Sequence, residues 1–116
     1  MKKDLNEWGL LFKMEKYILN QKKKALLGII DILILQWVKE NPMSGQDIMN
    51  KIQKQFGIKI SPGTMYPILF TLKERRLVDV RLYNKRKLYF LTDKGKIAVK
   101  SLVKNFLDIK RKLGLI

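Results

Sequence analysis

The chain has 116 residues, the size of one small domain, with 47% apolar residues and a net charge of +15 from 25 Lys and Arg against 10 Asp and Glu. It has no Cys and no His, which excludes disulfides, Cys/His zinc sites, thiolate nucleophiles and the usual general base near neutral pH. Its scattered carboxylates offer no paired acid and base, so neither an enzyme nor a metal or other cofactor is expected, and the charge points to a polyanion, nucleic acid before an anionic membrane surface.

Residues 4–19 predict a first helix with an apolar stripe of Leu5, Trp8, Leu11, Phe12, Ile18 and Leu19. The opening MKKDLNEWGLLFKMEKY is charged throughout and has no signal-peptide apolar stretch. NQKKK follows and reads as a polar break. The run ALLGIIDILILQWV, residues 25–38, is the most apolar of the chain. It is shorter than the ~20 residues that span a bilayer, and Asp31 and Gln36 interrupt it. It is expected as a helix buried nearly all round, ending at Asn41-Pro42.

Ser44 has the place of an N-cap, with Asp47 three residues on in a capping-box position. The helix it starts buries Ile48, Met49, Ile52 and Phe56 and ends at Gly57. IKI, residues 58–60, reads as a short extended piece. SPGTMYPILFTL, residues 61–72, begins the next helix: Ser61 caps it, and Pro62 sits at its first position, where no N–H is needed. Met65, Ile68, Leu69 and Leu72 share its inward face. Gly63, Pro67 and Phe70 point outward, with Thr64 and Thr71 on one flank and Tyr66 on the other. Tyr66 has two readings, contact with a partner or partial burial under a neighbouring hairpin.

Val78, Val80 and Leu82 alternate with Asp79, Arg81 and Tyr83, a strand with one buried face. NKRK makes a turn and LYFL returns as the partner strand. Thr92 then caps a last helix, 92–113, with Val99, Leu102, Phe106, Ile109 and Leu113 spaced as a heptad seam. The expected fold is mainly α with a small β-hairpin wing. It is one winged helix-turn-helix domain over 1–116, made of an extra N-terminal helix (4–19), a core (24–91) and a long C-terminal dimerisation helix.

LGIIDILILQWVKENPMSGQDIMNKI, SPGTMYPILFTLKERRLVDV and YFLTDKG, together covering about residues 24–96, resemble the PadR family of transcriptional regulators. The matching motifs are the Ser-Pro-Gly-Thr-Leu-Tyr-Pro-like recognition helix, through Ser61, Gly63, Thr64, Tyr66 and Pro67, and the wing-end Tyr-x-Leu-Thr-x-x-Gly, through Tyr89, Leu91, Thr92 and Gly95. Gln46 stands where the family usually has a tyrosine, and Phe70-Thr71 where basic residues are common. The resemblance implies a DNA-binding winged helix, a homodimer made through the C-terminal helix, and repression, often relieved by a small molecule that this sequence does not identify.

The expected partners are therefore double-stranded DNA and a second copy, with no membrane, in an intracellular, cytoplasmic, DNA-associated protein. The expected DNA-facing residues are Ser44, Ser61, Gly63, Thr64, Tyr66, Pro67, Phe70 and Thr71, with Arg81 on the wing's polar face and Lys85, Arg86 and Lys87 at its tip. The expected dimer interface joins Leu5, Trp8 and Phe12 to Val99, Leu102, Phe106, Ile109 and Leu113. The alternative is a winged-helix protein-interaction module whose charge serves only solubility.

Overall fold

The computed structural model describes residues 5–114, with side chains from Glu7 onward. Its elements run α1 (Leu5–Glu40), α2 (Gly45–Phe56), α3 (Pro62–Glu74), β1 (Val78–Tyr83), β2 (Arg86–Leu91) and α4 (Asp93–Lys112). The chain divides into two compact units, 1–30 and 31–116.

The break expected at NQKKK is absent: α1 is helical from Leu5 to Glu40. Asn20, Gln21 and the three lysines are polar, but none is Gly or Pro, and Gln and Lys rank among the good helix formers. Polarity ends a buried face; it does not by itself end a helix. Asp4, where the first helix was expected to begin, lies outside the described residues, and so does the side chain of Leu5. In the 1–30 unit Trp8, Leu11, Phe12, Ile18 and Leu19 are exposed. The apolar run 25–38 is not buried all round, since Ala25, Gly28 and Asp31 face outward.

The 31–116 unit holds a core in which Ile34, Leu35, Ile48, Ile52, Met65 and Leu69 are wholly buried. Ser44 starts α2 with a complete capping box: its hydroxyl accepts from the Asp47 amide at 3.0 Å, and the Asp47 carboxylate accepts from the Ser44 amide at 3.0 Å. Left-handed Gly57 closes the helix. Residues 58–60 form no strand, though Ile58 and Ile60 are buried.

The recognition-helix segment keeps its expected inward face, with Met65, Leu69 and Leu72 buried. It ends in a Schellman arrangement in which the Leu77 amide donates to the Leu72 carbonyl and the Arg76 amide to the Lys73 carbonyl. Arg76 occupies the left-handed position there, at φ 60. β1 and β2 then pair antiparallel from Val78↔Leu91 to Tyr83↔Arg86. Asn84 and Lys85, both at positive φ, make the two-residue turn. The hairpin is thus longer than NKRK-LYFL implied, and Arg86 and Lys87 lie in β2 instead of at the tip. Its buried face is also shorter than the alternation implied: Val78 is buried, Val80 half-buried and Leu82 exposed. The wing leaves the core after its first turn of pairing. A bridge between Met43 and Tyr89 adds a third, one-residue strand that no periodicity announced.

The wing-end motif joins α4 to the end of α3. The Thr92 hydroxyl donates to the Arg76 and Leu77 carbonyls, at 2.6 and 3.0 Å, and accepts from the Gly95 amide at 2.9 Å. A Cβ at Gly95 would overlap the Leu77 carbonyl oxygen. Gly95→Ala therefore forces backbone apart. It should destabilise the chain by about 1–3 kcal/mol in urea unfolding, with the m-value unchanged.

Candidate nucleic-acid interface

Three elements of the 31–116 unit present the expected DNA-facing residues: the start of α2, the outer face of α3, and the wing. On α3, Ser61, Gly63, Tyr66, Pro67, Phe70 and Thr71 are exposed and Thr64 is half-buried. Ser61 is the N-cap but makes no capping bond with its side chain; its hydroxyl donates to Thr64 Oγ1 at 3.2 Å. Pro67 lies inside a helix that stays regular around it. Its ring removes a donor on the outer side, and Thr71 donates its hydroxyl back to the Pro67 carbonyl at 3.0 Å. That hydroxyl keeps only its acceptor capacity for a partner.

Ser44 does not stand free for a partner. It is buried at 8% exposure, and its hydroxyl accepts from Asp47 and from Arg86. Arg86 is likewise engaged: its guanidinium meets the Asp47 carboxylate at 2.8 Å and Ser44 Oγ at 3.1 Å. Burial pushes the Asp47 carboxyl up, but the Ser44 amide and hydroxyl and the Arg86 guanidinium outweigh it and hold the group below its ordinary 3.8. The capping box was legible as Ser-x-x-Asp; its Arg partner, 39 residues on, was not.

The remaining wing cations are open. Lys85 and Lys87 are exposed. Arg81 lies over the Phe90 ring, its guanidinium carbon 4.9 Å from the centroid, a cation–π contact within the wing.

Tyr66 is half-exposed, at 45%, and its ring lies against the first turn of α2: a Cβ at Gly45 would come within 2.8–2.9 Å of Cε1, Cζ and Oη. Gly45 is therefore the residue that admits the ring. Beside it opens a cleft of ≈ 260 Å³ lined by Ser44, Gly45, Gln46, Tyr66, Arg86, Lys87 and Tyr89. Burial, and then the neighbouring Tyr66, push the Tyr89 phenol above its ordinary 10.0.

Among the described residues no group of His, Cys, Asp and Glu could hold a metal ion, and no helix is long and apolar enough to cross a membrane.

A helix pair, a third helix with an open outer face and a two-stranded cationic wing define the winged helix-turn-helix class. Residues 34–101 match the transcriptional regulator PadR-like family, and the chain belongs to that family, one of regulators and not of enzymes. It is 31% identical over 80 residues to the transcriptional activator GvpE of Haloferax mediterranei, a match covering 68% of this chain and 42% of that protein. It thus spans less than half the length of that relative. It is also 30% identical to an uncharacterized protein of Lysinibacillus sphaericus, over 81% of this chain and 93% of the other. Among solved structures, a PadR-like transcriptional regulator of Bacillus cereus superposes with a TM-score of 0.73 at 23% identity, covering 78% of this chain and 93% of that one. The winged-helix DNA-binding protein F93 from STIV gives 0.61 at 25% identity, covering 72% and 91%.

The Asp47 carboxylate sets an acid limit on the site. Its folded value lies below its unfolded one, so its contribution is complete above the unfolded pKa of ~3.9 and vanishes as pH falls through the folded value. The stability difference between wild type and Asp47→Asn should therefore be constant from about pH 5 upward and shrink below about pH 4. Because the pair is partly exposed, the plateau should be about 1 kcal/mol or less. Urea unfolding across pH checks both.

Proposed function

We propose that the chain is a homodimeric transcription regulator that binds double-stranded DNA sequence-specifically through α3 and the wing, and that it represses by occupying its site. The observation that carries this reading is the open face shared by Gly63, Pro67, Phe70 and Thr71 of α3, beside a wing with Arg81, Lys85 and Lys87 outward. In this reading α3 enters the major groove, Phe70 and the Thr71 acceptor meet base edges, and the wing follows phosphates. Arg86 orients the wing and contributes little free charge, since Asp47 already neutralises it. The DNA-binding role belongs to the 31–116 unit, and its place is inside the cell with DNA.

Dimerisation rests on apolar side chains that are exposed or half-exposed on α4 and exposed on α1. Val99 is buried in its own protomer at 1% exposure, so the seam on α4 starts at Leu102 and runs through Phe106 and Ile109 to Leu113, the last two exposed. On α1, Trp8 and Phe12 are exposed at 55% and 70%. We assign both surfaces to contact with a second copy. Two recognition helices would then meet half-sites about 34 Å apart.

A second reading, activation, is favoured by the name transcriptional activator carried by GvpE and its halobacterial counterparts. A reporter driven from the DNA flanking the coding region, with and without the protein, gives the sign directly.

Two measurements check the proposal. Affinity for a duplex should fall steeply with salt, and Lys85→Ala or Lys87→Ala should each lower the log–log slope by about one while weakening all duplexes alike. A flat response in the wild type would favour the protein-interaction module instead. In sedimentation equilibrium the wild type should be dimeric at micromolar concentration, and Phe106→Asp should place a charge in the seam and shift it to monomer. A monomeric wild type would remove the dimer.

A further inference from the structure

We propose that the cleft between the start of α2, Tyr66 of α3 and the wing seats one backbone phosphate of double-stranded DNA, with two phenol hydroxyls and two helix amides converging on its oxygens. This rests on the DNA-binding reading above and adds a site to it.

Three independent observations meet there. The first is the N-terminus of a twelve-residue helix, α2. Its capping box occupies the Asp47 amide, and the Ser44 carbonyl takes the Ile48 amide. The amides of Gly45 and Gln46, the first two of the helix, have no acceptor among the described residues, and both residues line the cleft. Free amides at the positive end of a helix favour an anion.

The second observation is Tyr89. It is only 7% exposed, and its hydroxyl has no hydrogen-bond partner among the described residues. Among the described residues no buried side-chain oxygen or nitrogen is left unsatisfied away from solvent. The hydroxyl of a cleft-lining residue this buried therefore opens onto the cleft itself. A phenol buried along its ring, with its hydroxyl open to the cleft, offers its one donor there. Its raised pKa keeps the proton in place.

The third observation is the set of remaining walls. Tyr66 Oη stands 2.9 Å from where a Gly45 Cβ would be, so it lies at the same helix start. Lys87 supplies a positive charge. The one carboxylate nearby, Asp47, is already matched by Arg86. The donors and the cation that line the cleft describe an acceptor-only anion, and phosphate is that anion on a surface that binds DNA. The site reads no base. It fixes the depth at which α3 enters the groove.

The test uses the full chain, a random-sequence duplex of about two helical turns, and inorganic phosphate alone as a second probe. Tyr89→Phe and Tyr66→Phe should each weaken duplex binding about tenfold, as loss of a hydrogen bond to a charged group does. The salt slope should not change, because neither donor carries charge, and the melting temperature should stay at the wild-type value. In amide NMR spectra the Gly45 and Gln46 signals should move on adding the duplex. A wild type that binds the duplex while both Tyr→Phe variants bind equally well overturns this inference and leaves the DNA reading standing. A wild type that ignores the duplex overturns both. Losses matched by a lowered melting temperature make the hydroxyls structural and overturn the site. Amide shifts with inorganic phosphate but none with the duplex assign the cleft to free phosphate and overturn the DNA seat.

Discussion

The Asp47 carboxylate ties together three parts of the candidate nucleic-acid surface. It closes the capping box that starts α2, it anchors Arg86 of the wing, and through Ser44 it fixes the backbone next to Met43, which bridges to Tyr89. Each bond is modest, since hydrogen bonds and part-exposed ion pairs contribute about 1 kcal/mol apiece. Their effect is geometric. A two-stranded hairpin alone is marginal in water, and this one keeps only Val78 and Tyr89 buried as it leaves the core. Without the Arg86 tie and the Met43 bridge, nothing in β2 beyond Tyr89 would set the wing's angle to α3. The angle decides whether wing cations and α3 can touch one duplex together.

The same tie changes how the charge of the chain should be counted. A formal +15 does not mean fifteen free cations. Arg86 is matched by Asp47, Arg111 and Lys112 by Asp108, and Lys96 by Asp93. Lys51 lies over the Trp37 ring and Lys94 donates to the Arg75 carbonyl. The cations left without such partners on the wing are Lys85 and Lys87, with Arg81 over the Phe90 ring. Counterion release depends on charges that a phosphate can reach, not on composition.

Local signals carried most of the architecture. Capping residues at Ser44 and Thr92, the glycine stop at Gly57, and the alternation of Val78 to Tyr83 act within a few residues, so the sequence alone located the ends of α2, α3 and α4 to within a residue or so. The failures share a cause. The break at NQKKK assumed that polar residues end helices, but only backbone chemistry does so; none of Asn20 to Lys24 removes a donor, and only Asn20 readily adopts positive φ. The sequence named candidate residues for the site but not the bonds that engage them. Ser44 and Arg86 read as DNA contacts because each is polar and lies in a matching motif or charge run; that they hold each other, 42 residues apart, is a tertiary fact. Val99 read as seam because it keeps heptad time, while burial assigns it to its own core.

The motif glycines follow the same division. Gly95 and Gly45 both lie where another group comes too close for a Cβ, a backbone carbonyl at Gly95 and the Tyr66 ring at Gly45. A Cβ at Gly63 would meet no packed group nearer than Ser61 Oγ, at 3.9 Å, so packing does not require its bare backbone. Three glycines of similar appearance in sequence thus have different reasons to be there. Gly95 serves the joint between α4 and β1. Gly45 lets an aromatic ring from α3 reach the start of α2 and shape the cleft. Gly63 stands on the exposed start of α3, where no side chain blocks the approach of another molecule.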